Sequence, residues 1–264
     1  MKQKPAASKK KAGAKSKQTT SDPTVRSDFG LLCVFIGRVF SRVFGFVFKW
    51  VFRAALVFYG TVLFFVLLYA VFSPPTTPFM LSEAARLGGI QKDWVDIEDM
   101  SPYLARSVVA AEDANYCLHW GFDVSAIRSA LESGGNRGAS TITQQTVKNV
   151  YLWHGRSWPR KALEALITPV VELVWSKKRI LEVYLNVIEF DKGVFGAEAG
   201  SQTYFDRHSG KLNAQQSALM AAVLPNPKER SAGAPATWLR KRAKSIADGA
   251  ATIQADGRSA CFES

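Results

Sequence analysis

Charge is missing from one part of this sequence, acid from another, and cysteine and histidine are scarce throughout. Ala54 to Phe72, AALVFYGTVLFFVLLYAVF, runs for 19 residues without a charged side chain. At about 1.5 Å rise per residue such a helix spans the roughly 30 Å hydrocarbon layer of a bilayer. Its lack of a polar face argues against a buried core helix. Residues 1–53 hold twelve Lys and Arg but only Asp22 and Asp28, so ten of the chain's twelve net positive charges lie there. The rest is close to neutral, which excludes a nucleic-acid-binding domain. The basic lead is too long for a cleaved signal peptide, and no small-x-small site follows Phe72, so an uncleaved signal anchor is expected. With three cysteines and three histidines, no His/Cys cluster is available to hold a metal.

These gaps set the organisation. Residues 1–28 have almost no apolar content and are expected to form a disordered basic tail. Residues 29–53 are apolar but carry Arg38, Arg42, Lys49 and Arg53 within about 60° of one another on a helix, a basic stripe suited to an anionic leaflet. Residues 54–72 are the expected transmembrane signal anchor, and the positive-inside rule places the tail in the cytoplasm and the C-terminal part outside it. SPPTTP, residues 73–78, is a linker that no helix crosses. Residues 79–264 form one domain's worth of chain, with apolar spacings of three and four and few alternating runs, so a mainly α fold is expected. Leu81 to Asp99 is ambiguous and leaves room for a short strand or hairpin. Cys117 and Cys261 both fall in the exported part, where thiols oxidise, and are expected to pair.

The chemistry centres on AEDANYCLHWGFD, Ala111 to Asp123. Ser101 and Pro102 begin a helix on which Leu104, Val108 and Glu112 share one face. Glu112 thus extends an apolar stripe, and poor solvation raises a carboxyl towards the range useful for proton transfer. Asp113, about 100° round the helix, is expected to be wetter. Downstream, Gly134, Gly135 and Gly138 lead into Ser140, Thr141 and Thr143 at a helix start, with Gln144, Gln145 and Lys148 on its first turns. Hydroxyls, backbone N–H groups and a lysine at a helix N-terminus suit an anion, although the Gly-Lys-Ser/Thr order of a nucleotide loop is lacking. Arg160 and Glu164 form an i,i+4 pair with Lys161 beside them, and Pro169 is expected to kink that helix. Ser176 caps the next helix, on which Lys177, Glu182 and Asn186 are left to line a cleft or face water.

In order and spacing, EDANYCLHWGFD, RGASTITQQTVKN, RKALEA, SKKRILEVYLN and SALMAAVLPNP resemble the five motif regions of the family 51 peptidoglycan glycosyltransferases, over about Ala105 to Pro227. The likeness is to the monofunctional, membrane-anchored members. No SxN or KTG follows, and the one SxxK match, Ser8 to Lys11, lies in the tail. The resemblance implies a lysozyme-like, two-lobed, mainly α fold and polymerisation of lipid II. The implied partners are lipid II, the growing glycan strand, the lipid bilayer and other cell-wall synthesis proteins. The implied location is the bacterial inner membrane, single-pass, with the catalytic domain periplasmic.

By motif matching, Glu112 is the base and Glu164 the second carboxylate, placed near the pyrophosphate directly or through a divalent cation such as Mg or Mn; no organic cofactor is implied. Arg137, Lys148, Arg160, Lys161, Lys177 and Arg179 are phosphate contacts, and Ser140, Thr141, Gln144 and Gln145 line the donor side. Asp113, His119 and Asp123, with Glu182 and Asn186, hold the cleft, and His119 is read as a hydrogen-bonding residue. Val150 to Trp153 and Trp158 suit the lipid headgroup layer. Tyr116 stands where the family usually has Phe, and its hydroxyl needs a partner if buried. Two other readings compete: a membrane-anchored muramidase or lytic transglycosylase, and a non-catalytic scaffold for wall assembly. The RK and SKKR clusters argue against the first, because hydrolysis of a neutral glycosidic bond has no pyrophosphate to hold.

Overall fold

A computed structural model of the protein describes residues 23–134, 138–155 and 157–263. The contacts divide the chain after Val57 into two units. Helix α1 covers Pro23–Val71 and so begins within the stretch expected to be disordered; residues 1–22 lie outside the described residues. One helix, within Gly37–Val71, is long and apolar enough to cross a membrane, a wider window than 54–72. In the first unit Phe40, Phe44, Phe48 and Phe52 stack at four-residue steps on an exposed face, as helical periodicity dictates.

In the second unit the chain leaves α1 through the prolines and enters α2 (Pro78–Leu87), where Thr77 Oγ1 accepts from Met80 N at 3.2 Å. The ambiguous stretch that follows contributes strand β1 (Gln91–Lys92), parallel to β3 (Val194–Phe195), which pairs antiparallel with β2 (Glu189–Asp191) in the order β1-β3-β2. The remainder is helical: α3 (Pro102–Glu112), α4 (Val124–Glu132), α5 (Ile142–Tyr151), α6 (Trp158–Val174), α7 (Lys177–Val187), α8 (Ala197–Phe205), α9 (Ala214–Val223), α10 (Thr237–Ala255) and α11 (Ala260–Glu263). The mainly α expectation holds. Helix α6 continues through Pro169.

Two helix groups carry the site. Helices α3, α9 and α10 pack on one another, while α5 packs on α6 and α7. Every residue from Ile180 to Val187 on α7 is buried, too many for one face of an amphipathic helix, so α7 is an interior element. Glu182 and Asn186 are therefore buried and do not face water. Asn186 exchanges hydrogen bonds with both Val95 N and Val95 O, at 3.0 and 2.8 Å, and Glu182 accepts from Ile97 N and pairs with Arg179. Buried polar groups satisfied in this way pin the 93–99 segment, an extended stretch ending in a 3-10 turn at Ile97–Asp99, against α7. Ser101 stands at the N-cap of α3 but does not cap it; its hydroxyl donates to Leu212 O at 2.7 Å instead.

Arg179 has a structural duty too. Its guanidinium donates to Tyr69 O and Phe72 O, and Trp175 Nε1 donates to Val66 O at 2.7 Å. Val62 and Val66 join the domain core. The last turns of α1 are therefore built into the domain, their free carbonyls capped by an arginine as helix C-termini favour.

Cys117 and Cys261 are disulfide-bonded across 144 residues. The bond holds α11 against the loop after α3, where Phe262 packs on Tyr116 and Glu263 pairs with Arg106. On the chain-entropy model a loop this long contributes up to about 5 kcal/mol. Cys261→Ser is expected to destabilise the domain by roughly 2–4 kcal/mol, read as a lower thermal midpoint. Wild type under reducing conditions should match the variant; equal midpoints for all three samples would contradict this.

Candidate active site

The site lies where the end of α3 meets the start of α5. Glu112 is the last residue of α3 and half-buried. Its Oε2 accepts from Gln145 Nε2 at 2.9 Å, and Gln145 Oε1 accepts from the hydroxyl of fully buried Tyr184 at 3.2 Å. Tyr184 thus fixes which way the Gln145 amide faces, so that its NH2 points to the carboxyl. Burial pushes the Glu112 carboxyl up; the Gln145 hydrogen bond, Arg242 and Lys148 pull it back only in part, while Asp113 adds to the rise. The result is a carboxyl held above its ordinary range, as a base working near neutrality requires.

Asp113 is buried rather than wetter. Its Oδ1 binds His119 Nε2 at 2.8 Å, and its Oδ2 accepts from Ile142 N at 3.0 Å. Ile142 opens α5, so Asp113 caps one of that helix's free N–H groups and meets the positive end of its dipole. Asp123 caps α4 through Ala126 N and also accepts from Ser125 and Asn115. Burial opposes its ionisation, but these bonds outweigh that and hold it down at about 2. Asp113, His119 and Asp123 could offer ligand atoms within 4.8 Å of one another. Their carboxylate oxygens already face N–H and O–H donors, so the group acts as a brace. Gly121 passes behind it at φ +76°, where a Cβ would lie 2.5 Å from Thr168 Cγ2; only glycine fits.

Helix α5 starts with a capping box. Thr141 accepts from Gln144 N, and Gln144 returns a bond to Thr141 N. Gln144 is committed to that cap and lies outside the site cavities. Gln145, Ser140 and Lys148 do line a cavity of about 510 Å³, together with Arg160, Lys161, Glu164, His154, Asn149 and Lys228. Glu112 opens instead into a smaller one of about 250 Å³, shared with Thr141, and Ser140 lies in the wall of both. Gln145 reaches Glu112 from the wall of the larger cavity.

That larger cavity is cationic. Glu164 is buried on α6 with one oxygen on Arg160 Nη1 at 2.8 Å and the other on Lys161, which also donates to Ser140. Lys148 is pushed down by burial, with Arg160 and Lys161 adding and Glu164 and Glu112 opposing. Arg160 Nε is buried without a partner among the described residues. A buried guanidinium N–H left unpaired beside two lysines suits an incoming anion.

Two expected phosphate contacts are elsewhere. Lys177 is engaged with Glu172 at 2.8 Å and lies over the Tyr116 ring, whose hydroxyl finds its partner in Lys177 O. Arg179 is spent on the end of α1. Arg137 lies outside the described residues. Of the lipid-facing candidates, Val150 and Leu152 join the core, Tyr151 packs partly buried against it, and Trp153 and Trp158 are exposed. Residues not singled out beforehand include Glu172, which also accepts from Thr143 at 2.5 Å, and Tyr184, Lys228 and His154. Glu172 was findable, because Glu164, Thr168 and Glu172 share one face of α6.

Replacing Gln145 with Met removes the bond that favours the charged form of Glu112, so its carboxyl should titrate at still higher pH. Carbon-detected NMR of the Glu112 carboxyl tests this; a midpoint that stays put or falls would contradict it.

A family model described as transglycosylase matches residues 81–251, a stretch that includes Glu112, Gln145, Lys148, Arg160, Lys161 and Glu164. The chain is 61% identical over 214 residues to the biosynthetic peptidoglycan transglycosylase of Jannaschia sp. (strain CCS1), covering 81% of this chain and 90% of that protein. Proteins of the same name from Caulobacter vibrioides and Cronobacter sakazakii are 44% and 46% identical over 200 and 201 residues, covering 74% and 72% of this chain and 87% and 83% of theirs. With a raised carboxyl beside a cationic cavity, and a match over most of its length, the chain belongs to the transglycosylase family.

Proposed function

We propose that this membrane-anchored glycosyltransferase polymerises lipid II into peptidoglycan glycan strands by inverting transfer, with Glu112 as the base. The observation that carries the reading is the pairing of a carboxyl raised by burial with a separate, cation-lined cavity of about 510 Å³. A β-1,4 bond formed from an α-linked diphosphate requires attack from the opposite face. The acceptor 4-hydroxyl gives its proton to Glu112 as its oxygen bonds to the donor C1. The bond from C1 to the diphosphate breaks, and its electron pair leaves with the phosphate oxygen. Lys148, Arg160 and Lys161 stabilise that developing charge. Glu164 holds Arg160 and Lys161 in place.

In this reading no divalent cation is needed beside Glu164. Such an ion would need carboxylate oxygens as ligands, and both of Glu164's are paired with Arg160 and Lys161. The cations of the protein itself carry the charge in this mechanism. The same cavity argues against a muramidase, which has no diphosphate to bind.

The lipid half of the substrate suits the setting. Pro159, Ala162, Leu166, Pro169 and Leu173 fall at steps of three and four on α6 and are all exposed, an apolar stripe that water disfavours. The helix ends at Trp175, bonded to Val66 within the apolar run of α1, which supports reading this stripe as the face that meets acyl chains. The tail's positive charge supports a cytoplasmic N-terminus at the bacterial inner membrane and a periplasmic domain.

Lipid II in detergent should yield polymer with wild type and none with Glu112→Gln. Activity should fall as pH drops through the raised Glu112 value, since protonation removes the base, with the acid limb above the ordinary carboxylate range. Polymer from Glu112→Gln would refute the assignment of the base, and hydrolysis of preformed glycan in place of polymerisation would refute the reaction.

A further inference from the structure

The large cavity contains a titratable ring that the catalytic scheme leaves unused. His154 lies in the turn between α5 and α6 and stacks on Phe79 of α2, with centroids 4.0 Å apart and planes 16° from parallel. Phe79 is buried and packs edge-on against Phe195, so it gives the imidazole a rigid backing. The ring is exposed on the cavity wall.

Charged groups face this part of the cavity from every element around it. Lys148 comes from α5, Arg160 and Lys161 from α6, and Lys228 from the segment after α9. The carboxylates are already paired: Glu164 with its two cations, Glu83 of α2 with Arg86 and Lys228, and Glu189 of β2 with Lys228. Partial removal from water lowers the His154 imidazole below its usual value, with Lys148, Lys228 and Arg160 adding and Glu83 opposing. Beside Lys148, which has no ion pair among the described residues, the charged form of the ring is disfavoured, and a doubly charged diphosphate would reverse that balance.

We infer that His154 is a positioning residue for the diphosphate, taking up one proton from solvent as the anion enters and adding a cation to its cradle. This rests on reading the cavity as the diphosphate site. The bound state holds the extra proton, so affinity rises as pH falls. If the anion raises the imidazole by one unit, binding strengthens by up to about tenfold from high to low pH across the neutral range.

The test measures binding of fluorescent lipid II to the full chain in detergent micelles at about pH 6 and about pH 8. The Glu112→Gln background prevents turnover and removes the base's own titration. Into that background go His154→Gln, His154→Arg and Lys148→Met. Expected are a dissociation constant several-fold lower at the acid pH in the parent, no such difference with His154→Gln, and tight binding at both pH values with His154→Arg. Lys148→Met should weaken binding at both. If Lys148→Met binds as the parent does, the cavity is not the diphosphate site and both readings fall. If Lys148→Met weakens binding but the parent shows no pH dependence, or His154→Gln keeps it, the cavity reading stands and the role of His154 is refuted.

Discussion

One buried carboxylate joins the two halves of the site. Asp113 spans from the end of α3 to the first amide of α5, and the neighbouring residues at each end, Glu112 and Gln145, meet because that link holds. An isolated ionised carboxylate would be expensive to bury. Here a helix N-terminus and an imidazole supply the compensation, and the link is directional in a way apolar packing is not. His119 braces the far side, and Gly121 lets the chain turn tightly enough to place it.

The two cavities separate two electrostatic tasks. As the proposed base, Glu112 needs weak solvation and few cations. On the proposed reading, a diphosphate in the larger cavity needs many cations. Gln145 stands between them as a neutral amide, giving Glu112 one hydrogen bond without bringing a charge to it. A lysine at that position would depress the carboxyl and weaken it as a base. Glu164, by contrast, is fully committed to Arg160 and Lys161, and its value lies in arranging them.

Much of this was legible in the chain. The four-residue steps from Leu104 through Val108 place Glu112 on a buried face, and the long uncharged run announces the anchor. The helix caps at Thr141 and Ser176 follow from local chemistry. What could not be read is long-range partnership. Tyr184 and Gln145 are 39 residues apart, and nothing local joins them. Lys177 and Arg179 look like Lys148 and Arg160 in sequence, yet one pair serves a buried glutamate and the end of a helix while the other lines the cavity. Helical geometry does not reach Asp113: α3 ends at Glu112, and Asp113 leaves the helix at φ −160°, turning inward. Lys228 and His154 are single residues outside any motif, visible only once the fold gathers them.

The grip of Arg179 and Trp175 on the carbonyls of Tyr69, Phe72 and Val66 removes the slack that a flexible stalk would provide. The distance from the end of α1 to the large cavity is then a property of the folded domain and not of a tether. A change in bilayer thickness must be met by tilting the whole unit or deforming the lipid, at fractions of a kcal/mol per ångström. On the proposed reading, the height of the site above the acyl chains is thereby coupled to the lipid composition of the membrane.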